Sequence, residues 1–240
     1  MNTCGASMLR DRNPLEQSEF LKYLARHSQS AEDDRLPPLA DLSRELGISI
    51  ASLREQLEVA RAMGLVEVRP KTGIRRLEYR FEPAVVKSVV YAMSIEPHTL
   101  EQFSDLRNHV ETAYWFQAVS QLNSEDHAEL LDLVRRAFQK LDGSPVQIPH
   151  MEHRQLHLLL YSRLNNPFVT GIMETYWDIY EAVGLSVYND LNYLRRVWTY
   201  HQKIVEAVCA GDLNGGYQLL VEHIHLITER TKPSISQKFE

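Results

Sequence analysis

Residues 36–73 read LPPLADLSRELGISIASLREQLEVARAMGLVEVRPKTG, and this stretch decides the N-terminal fold. Leu36-Pro37-Pro38 opens a helix, because the fixed φ of proline suits a first turn and its missing N–H is not needed there. Leu39, Leu42 and Leu46 recur at helical spacing as one apolar stripe. Gly47 is placed to cap that helix in the left-handed conformation. Ser49 can cap the next one, whose stripe is Leu53, Leu57 and Ala60, up to Met63-Gly64. Two short helices joined by Gly47-Ile48-Ser49 form a helix-turn-helix. Residues 65–69 alternate as a strand, Pro70-Lys71-Thr72-Gly73 turns, and 74–79 returns, so a hairpin wing follows.

Working outward, Phe20, Leu21 and Leu24 mark a helix that begins near residue 15 and stops near His27, and residues 28–35 read as a polar, acidic loop. Beyond Pro83 every segment reads helical, over about 83–93, 97–121, 124–141, 149–164, 167–190, 191–211 and 213–231. Pro97, Asn123-Ser124, residues 142–145, Asn165-Asn166-Pro167 and Gly211-Asp212 separate these helices. The fold class expected is mainly α, an N-terminal winged helix-turn-helix followed by a C-terminal all-α bundle. The expected division is a flexible tail over 1–14, a DNA-binding domain over 15–82, a helical domain over 83–232, and a short tail over 233–240.

The apolar fraction of 44% and charged fraction of 24% are ordinary for a globular chain. Cys4 and Cys209 are far apart, which argues against a disulfide framework and suits a reducing cytosol. No apolar run reaches membrane-spanning length and no leader peptide is read at the N-terminus, so a cytoplasmic protein is expected. The first 80 residues carry a net charge of +1 and the remainder −7. Phosphate repels the acidic part, which leaves the first third as the nucleic-acid contact.

The chain resembles the GntR superfamily of bacterial regulators, in its FadR-like branch with an FCD effector domain. Leu36, Pro37, Leu42, Leu46, Gly47, Ser49, Arg54, Glu55, Leu57, Gly64, Leu65, Val66 and Gly73 match the DNA-binding pattern. Independently, Arg107 and Glu111 match an Arg-x3-Glu, and His157 precedes Asn166-Pro167 at the family spacing. His201, Ile204, Ala207, Gly211-Asp212 and His223 complete the effector-domain run. Two positions depart: Pro38-Leu39-Ala40 stands where Ser-Glu-Arg is usual, and Ile50 where arginine is usual. That implies an operator unlike the family's common one, or a lower affinity for DNA.

A helix entering the major groove needs short polar or basic side chains at its N-terminal end. Here these are Ser49, Ser52 and Arg54, and with Arg44, Lys71, Thr72, Gly73 and Arg75 they form the candidate contacts to a double-stranded DNA operator. Arg69, Arg76 and Arg80 add phosphate attraction. His153 and His157, at i and i+4, share one helix face, and His201 and His223 lie on two later helices. The resemblance makes His157, His201 and His223 metal ligands, and it puts an aspartate where this chain has His153. An all-nitrogen set suits Zn or Ni. His150 and His225 are candidate decoys. Arg107 is placed to clamp a small carboxylate effector, with Asn166 beside it. Its alternative is an Arg107–Glu111 pair on a helix surface. The aromatic residues Tyr114, Trp115, Tyr176, Trp177, Tyr180 and Tyr188 read mainly as core.

The function expected is a ligand-responsive, DNA-binding transcription regulator acting as a repressor and as a homodimer, because a two-fold dimer matches a near-palindromic site. The competing readings are a helical metal-binding enzyme, with Glu152 as an unspecific base, and an interaction module that has lost DNA binding. No HExxH, phosphate loop or nucleophile motif supports the enzyme.

Overall fold

Ser18 starts the first helix by accepting a hydrogen bond from the Leu21 amide, and α1 (Glu19–Arg26) follows. The computed structural model describes residues 18–27, 34–70, 73–96, 98–182 and 190–234, with side chains to 226. Both expected tails apart from residues 233–234, along with residues 15–17, 28–33 and 183–189, Lys71, Thr72 and Tyr188, lie outside the described residues. The described chain divides into two units, one ending at Tyr79 and one starting at Arg80.

In the first unit, α2 (Leu39–Leu46) ends at Gly47 with φ 66°, and α3 (Ile50–Ala62) begins at Ser49, whose hydroxyl accepts from the Ser52 amide at 3.1 Å. The left-handed glycine turns the chain between the two helices where a side chain would be strained. Strands β1 (Val66–Arg69) and β2 (Gly73–Arg76) pair antiparallel, with Val66 opposite Arg76. Phe20, Tyr23, Leu24, Leu42, Leu53, Leu57, Ala60, Val66 and Ile74 close one core. The Gln56 side chain accepts from the Phe20 amide at 2.9 Å and ties α3 to the start of α1. The expected return strand over 74–79 is shorter, because β1 offers only four residues to pair with. The end of the expected loop over 28–35 is not free. Arg35 bridges to Arg75, the Leu36 amide donates to Ile74, and the Arg76 amide donates to Asp34. That segment covers the far edge of β2, which would otherwise present unpaired backbone groups.

The second unit is all helix: α4 (Glu82–Ile95), α5 (Thr99–Val119), α6 (Ser124–Leu141), α7 (His150–Leu160), α8 (Pro167–Ala182), α9 (Leu191–Cys209) and α10 (Leu213–Ser234). Capping side chains start several of them. Asn123 and Asp126 form a reciprocal capping box for α6, and Asp190 accepts from the Tyr193 amide for α9. The core runs through Trp115, Leu130, Leu133, Leu156, Leu160, Met173, Trp198, Val205 and Leu220. α9 packs on α6 and α10, α10 on α5, and α8 on α4, α5 and α7. One close approach sets α10. A Cβ on Gly216 would come within 2.8 Å of the Trp115 ring, and the Trp115 indole donates to the Leu213 carbonyl at 2.9 Å. Glycine at that point lets α10 lie against α5, and His223 stands two turns further along the same face. Among the described residues no helix is long and apolar enough to cross a membrane.

Candidate metal centre and DNA-facing surface

α7 presents His153 and His157 one turn apart, α9 presents His201 and α10 presents His223. Each offers a ring nitrogen, and the four nitrogens lie within 4.8 Å of one another. His157, His201 and His223 are buried. His157 Nε2 is 3.3 Å from His201 Nε2, which is 3.1 Å from His223 Nε2. Two ligands about 2.0–2.1 Å from a tetrahedral ion stand roughly 3.3–3.4 Å apart, so this spacing fits one.

The hydrogen-bond inventory points the same way. His157 Nδ1 donates to Glu111 Oε1 at 2.9 Å, so in the neutral ring His157 Nε2 is a bare lone pair. His201 Nε2 can donate to only one of its two neighbours. His153 Nε2, His201 Nδ1 and His223 Nδ1 are buried without a hydrogen-bond partner among the described residues. Converging, unsatisfied imidazoles of this kind can coordinate a divalent metal. Burial, reinforced by repulsion from the neighbouring histidines, pushes the imidazoles of His153 and His201 well below the usual histidine range. Burial takes His223 to about 3. These rings are therefore neutral at physiological pH, the form that binds metal.

Behind His157 stands the Arg107–Glu111 pair, the alternative to an effector clamp, which is buried rather than on a helix surface. Arg107 and Glu111 are one turn apart on α5 and fully buried, with Arg107 Nη1 at 2.8 Å from Glu111 Oε2. Burial alone would raise the Glu111 carboxyl, but Arg107 and then His157 outweigh it and hold it at about 2. Burial likewise disfavours the Arg107 charge, and Glu111 and Tyr176 more than restore it. The guanidinium also lies 4.1 Å from the Tyr176 ring centre. Glu111 thus orients His157, a role the sequence reading did not assign. A signal was present: Arg107 and Glu111 fall on the buried stripe Leu100, Phe103, Trp115, Ala118, where a charge demands a partner.

A void of about 40 Å³ adjoins His153, lined by Arg107, His150, Tyr176, Trp177, Tyr193 and Trp198 among others. Asn166 does not line it. Its side chain accepts from the amides of Phe168 and Val169 at 3.1 and 3.3 Å, which makes it the cap of α8. His225 is exposed and faces away, whereas His150 lies at the void, where burial lowers its pKa. Glu152 is bound to Lys140 at 2.8 Å. Trp115 is wholly core, while Tyr176, Trp177 and Tyr180 line the void as well as packing.

In the first unit, Arg54 is exposed on α3 and makes no ion pair among the described residues. Ser49 is occupied as the cap of α3, and Ser52 Oγ accepts from Gln56 at 3.3 Å. Arg44 is exposed and lies 3.2 Å from Asp41. Gly73 is exposed with φ 81°, and Arg75 sits on β2 beside Arg35. Two arginines of the basic run are committed elsewhere. Arg76 donates to the His27 carbonyl and pairs with Asp34, and Arg80 pairs with Glu174 and Glu82. Arg76 is held largely buried by these contacts, whereas Arg80 remains half exposed on its ion pairs. Ile50 is 42% exposed at the head of α3, an apolar side chain where arginine is usual.

Comparison with known proteins follows the same lines. A Streptococcus agalactiae GntR is 15% identical, with 88% of this chain and 96% of that chain aligned at a TM-score of 0.63. E. coli McbR/YncC is 20% identical over 90% of this chain and 100% of that one, with a TM-score of 0.47. A putative GntR regulator from Rhodococcus sp. RHA1 is 18% identical over 90% and 95%, also at 0.47. The first likeness establishes the fold; the other two are too distant to add weight. No curated protein matches the chain. The model of the FCD domain matches residues 102–226, just over half the chain and all four histidines. The chain therefore belongs to the FCD-domain family, and it shares the fold of a GntR protein.

Proposed function

We propose that the chain is a metal-dependent repressor that binds an operator as a homodimer and responds to a small carboxylate. The observation that carries this reading is the buried four-histidine cluster, with His157 fixed by Glu111 and Glu111 fixed by Arg107. His153, His157, His201 and His223 would hold the ion, Zn or Ni by donor type. When bound, it supplies a Lewis-acidic position for a ligand's oxygen. The chain's own residues orient the imidazoles, exclude water with Trp177 and Trp198, and confine the ligand to the adjoining void.

At the DNA, Arg54 on the exposed face of α3 is the base- or phosphate-reading arginine, and Arg44, Gly73 and Arg75 lie on elements that would flank the groove. Ser49 serves the DNA indirectly, by capping α3 and so fixing its first turn. A two-fold dimer presents two such helices to two half-sites. Ligand binding shifts the population between helix packings that space those helices differently.

The test is metal analysis of the purified chain together with a mobility-shift assay on the promoters flanking its gene. About one Zn or Ni per chain, a shift at nanomolar dimer and its loss on adding a carboxylate are expected. A metal-free chain whose DNA binding ignores chelators refutes the metal role, and no shift on any flanking promoter refutes the regulator.

A further inference from the structure

The DNA-binding reading, on which this inference rests, puts the head of α3 against base edges, because the second helix of a helix-turn-helix enters the major groove by its N-terminal end. That end is Ser49-Ile50-Ala51-Ser52-Leu53-Arg54. Leu53 is fully buried in the core. The Ser49 hydroxyl accepts from the Ser52 amide at 3.1 Å, and the Ser52 hydroxyl accepts from the Gln56 side chain at 3.3 Å. Both serines are thereby tied along the helix. What the first turn leaves projecting is carbon. Ile50 is 42% exposed, and Ala51 beside it is exposed. Ile48, two residues earlier, packs on the core of this unit, whereas Ile50 lies outside it.

The major-groove edges of the base pairs offer hydrogen-bond donors and acceptors, and among them one apolar group, the C5-methyl of thymine. An aliphatic side chain at the groove floor has that one partner. Arg54 stands one turn further on, on the face of Ile50, exposed and without an ion pair among the described residues. One turn advances about 5.4 Å and base pairs stack about 3.4 Å apart, so Arg54 meets the duplex about one or two base pairs from Ile50. A cation there can hold a phosphate or a guanine and fix the register in which the isoleucine meets its base.

We propose that Ile50 reads a thymine in each operator half-site through its C5-methyl group. The chain then separates thymine from cytosine at that position by apolar contact and displaced water, without a hydrogen bond to the base.

The test takes duplexes selected from a randomised library by the purified chain and replaces each thymine of the selected site in turn by deoxyuridine. That change removes the methyl and leaves every donor and acceptor in place. Fluorescence anisotropy is expected to find one thymine per half-site whose replacement weakens binding about three- to fivefold, the worth of one buried methyl group. The same replacement is expected to have no effect on Ile50→Ala, a variant that folds as the parent does because the side chain is exposed. A site without a methyl-sensitive thymine overturns the proposal, and so does a sensitivity that survives in Ile50→Ala. Ile50→Gln gives the first turn a donor and an acceptor, and re-selection with it is expected to lose the thymine; a site that keeps it overturns the proposal too. A chain that enriches no sequence refutes the DNA-binding reading and this proposal together. Enrichment of a defined site that is indifferent to uracil refutes only the methyl contact.

Discussion

Glu111→Gln is the sharpest single perturbation of this molecule. The substitution keeps shape and one hydrogen-bond acceptor, and it removes the charge that answers Arg107 at 2.8 Å and orients His157 at 2.9 Å. Opposite charges about 4 Å apart attract by about 4 kcal/mol at an effective dielectric constant near 20. Removing one partner of a buried pair costs about 3–5 kcal/mol, because the other charge remains buried and alone. In a unit of this size each kcal/mol moves Tm by roughly 2–4 °C, so a fall of about 10 °C is expected for the metal-free chain. Losing the residue that orients a metal-ligating histidine weakens metal affinity about 10–100-fold. Thermal unfolding by circular dichroism reads the first effect, and competition with a chromophoric chelator reads the second. The double substitution Arg107→Met with Glu111→Met separates them. It removes both charges, so most of the stability should return, while the loss of metal affinity should persist. A single variant within about 1 kcal/mol of wild type, binding zinc as tightly as the parent, would refute the account of this triad.

Three further outcomes follow from named contacts. Arg54→Ala should weaken operator binding about tenfold or more in a mobility-shift assay, as loss of one groove contact does, and unchanged affinity takes Arg54 off the reading surface. Gly216→Ala should destabilise the chain by about 1–3 kcal/mol through overpacking against Trp115 and lower zinc affinity by tilting the helix that carries His223; wild-type Tm and affinity would show that α10 accommodates the methyl. Acid should unfold the metal-free chain early. The folded pKa values of His153, His201 and His223 lie below the ordinary histidine value of 6.5, His223 at about 3. Below about pH 6.5 the unfolded state therefore binds more protons, and stability falls with pH by up to about 1.4 kcal/mol per unit for each ring. Glu111, held at about 2, adds stability that is present above its ordinary value and lost only as pH falls through about 2. A Tm flat between pH 7.5 and 5 would contradict the burial of neutral rings.

The sequence by itself determined the elements and their order. The stripe Leu39, Leu42, Leu46, the left-handed Gly47 and the capping Ser49 specify a helix-turn-helix locally, because each acts within one or two turns of chain. It also marked His157, His201 and His223, and put His153 on the face of His157. What tertiary structure alone decided is who meets whom. Periodicity says that Arg107 and Glu111 fall on a buried face, but not that the carboxylate reaches His157, 46 residues away on another helix. It gives Arg76 to a basic run, whereas packing commits that side chain to His27 and Asp34. It placed Asn166 beside the effector, whereas the local turn uses it to cap α8. Helical spacing fixes which side of each element turns inward; the partner met there depends on crossing angles and close approaches such as Gly216 on Trp115, which no single helix encodes.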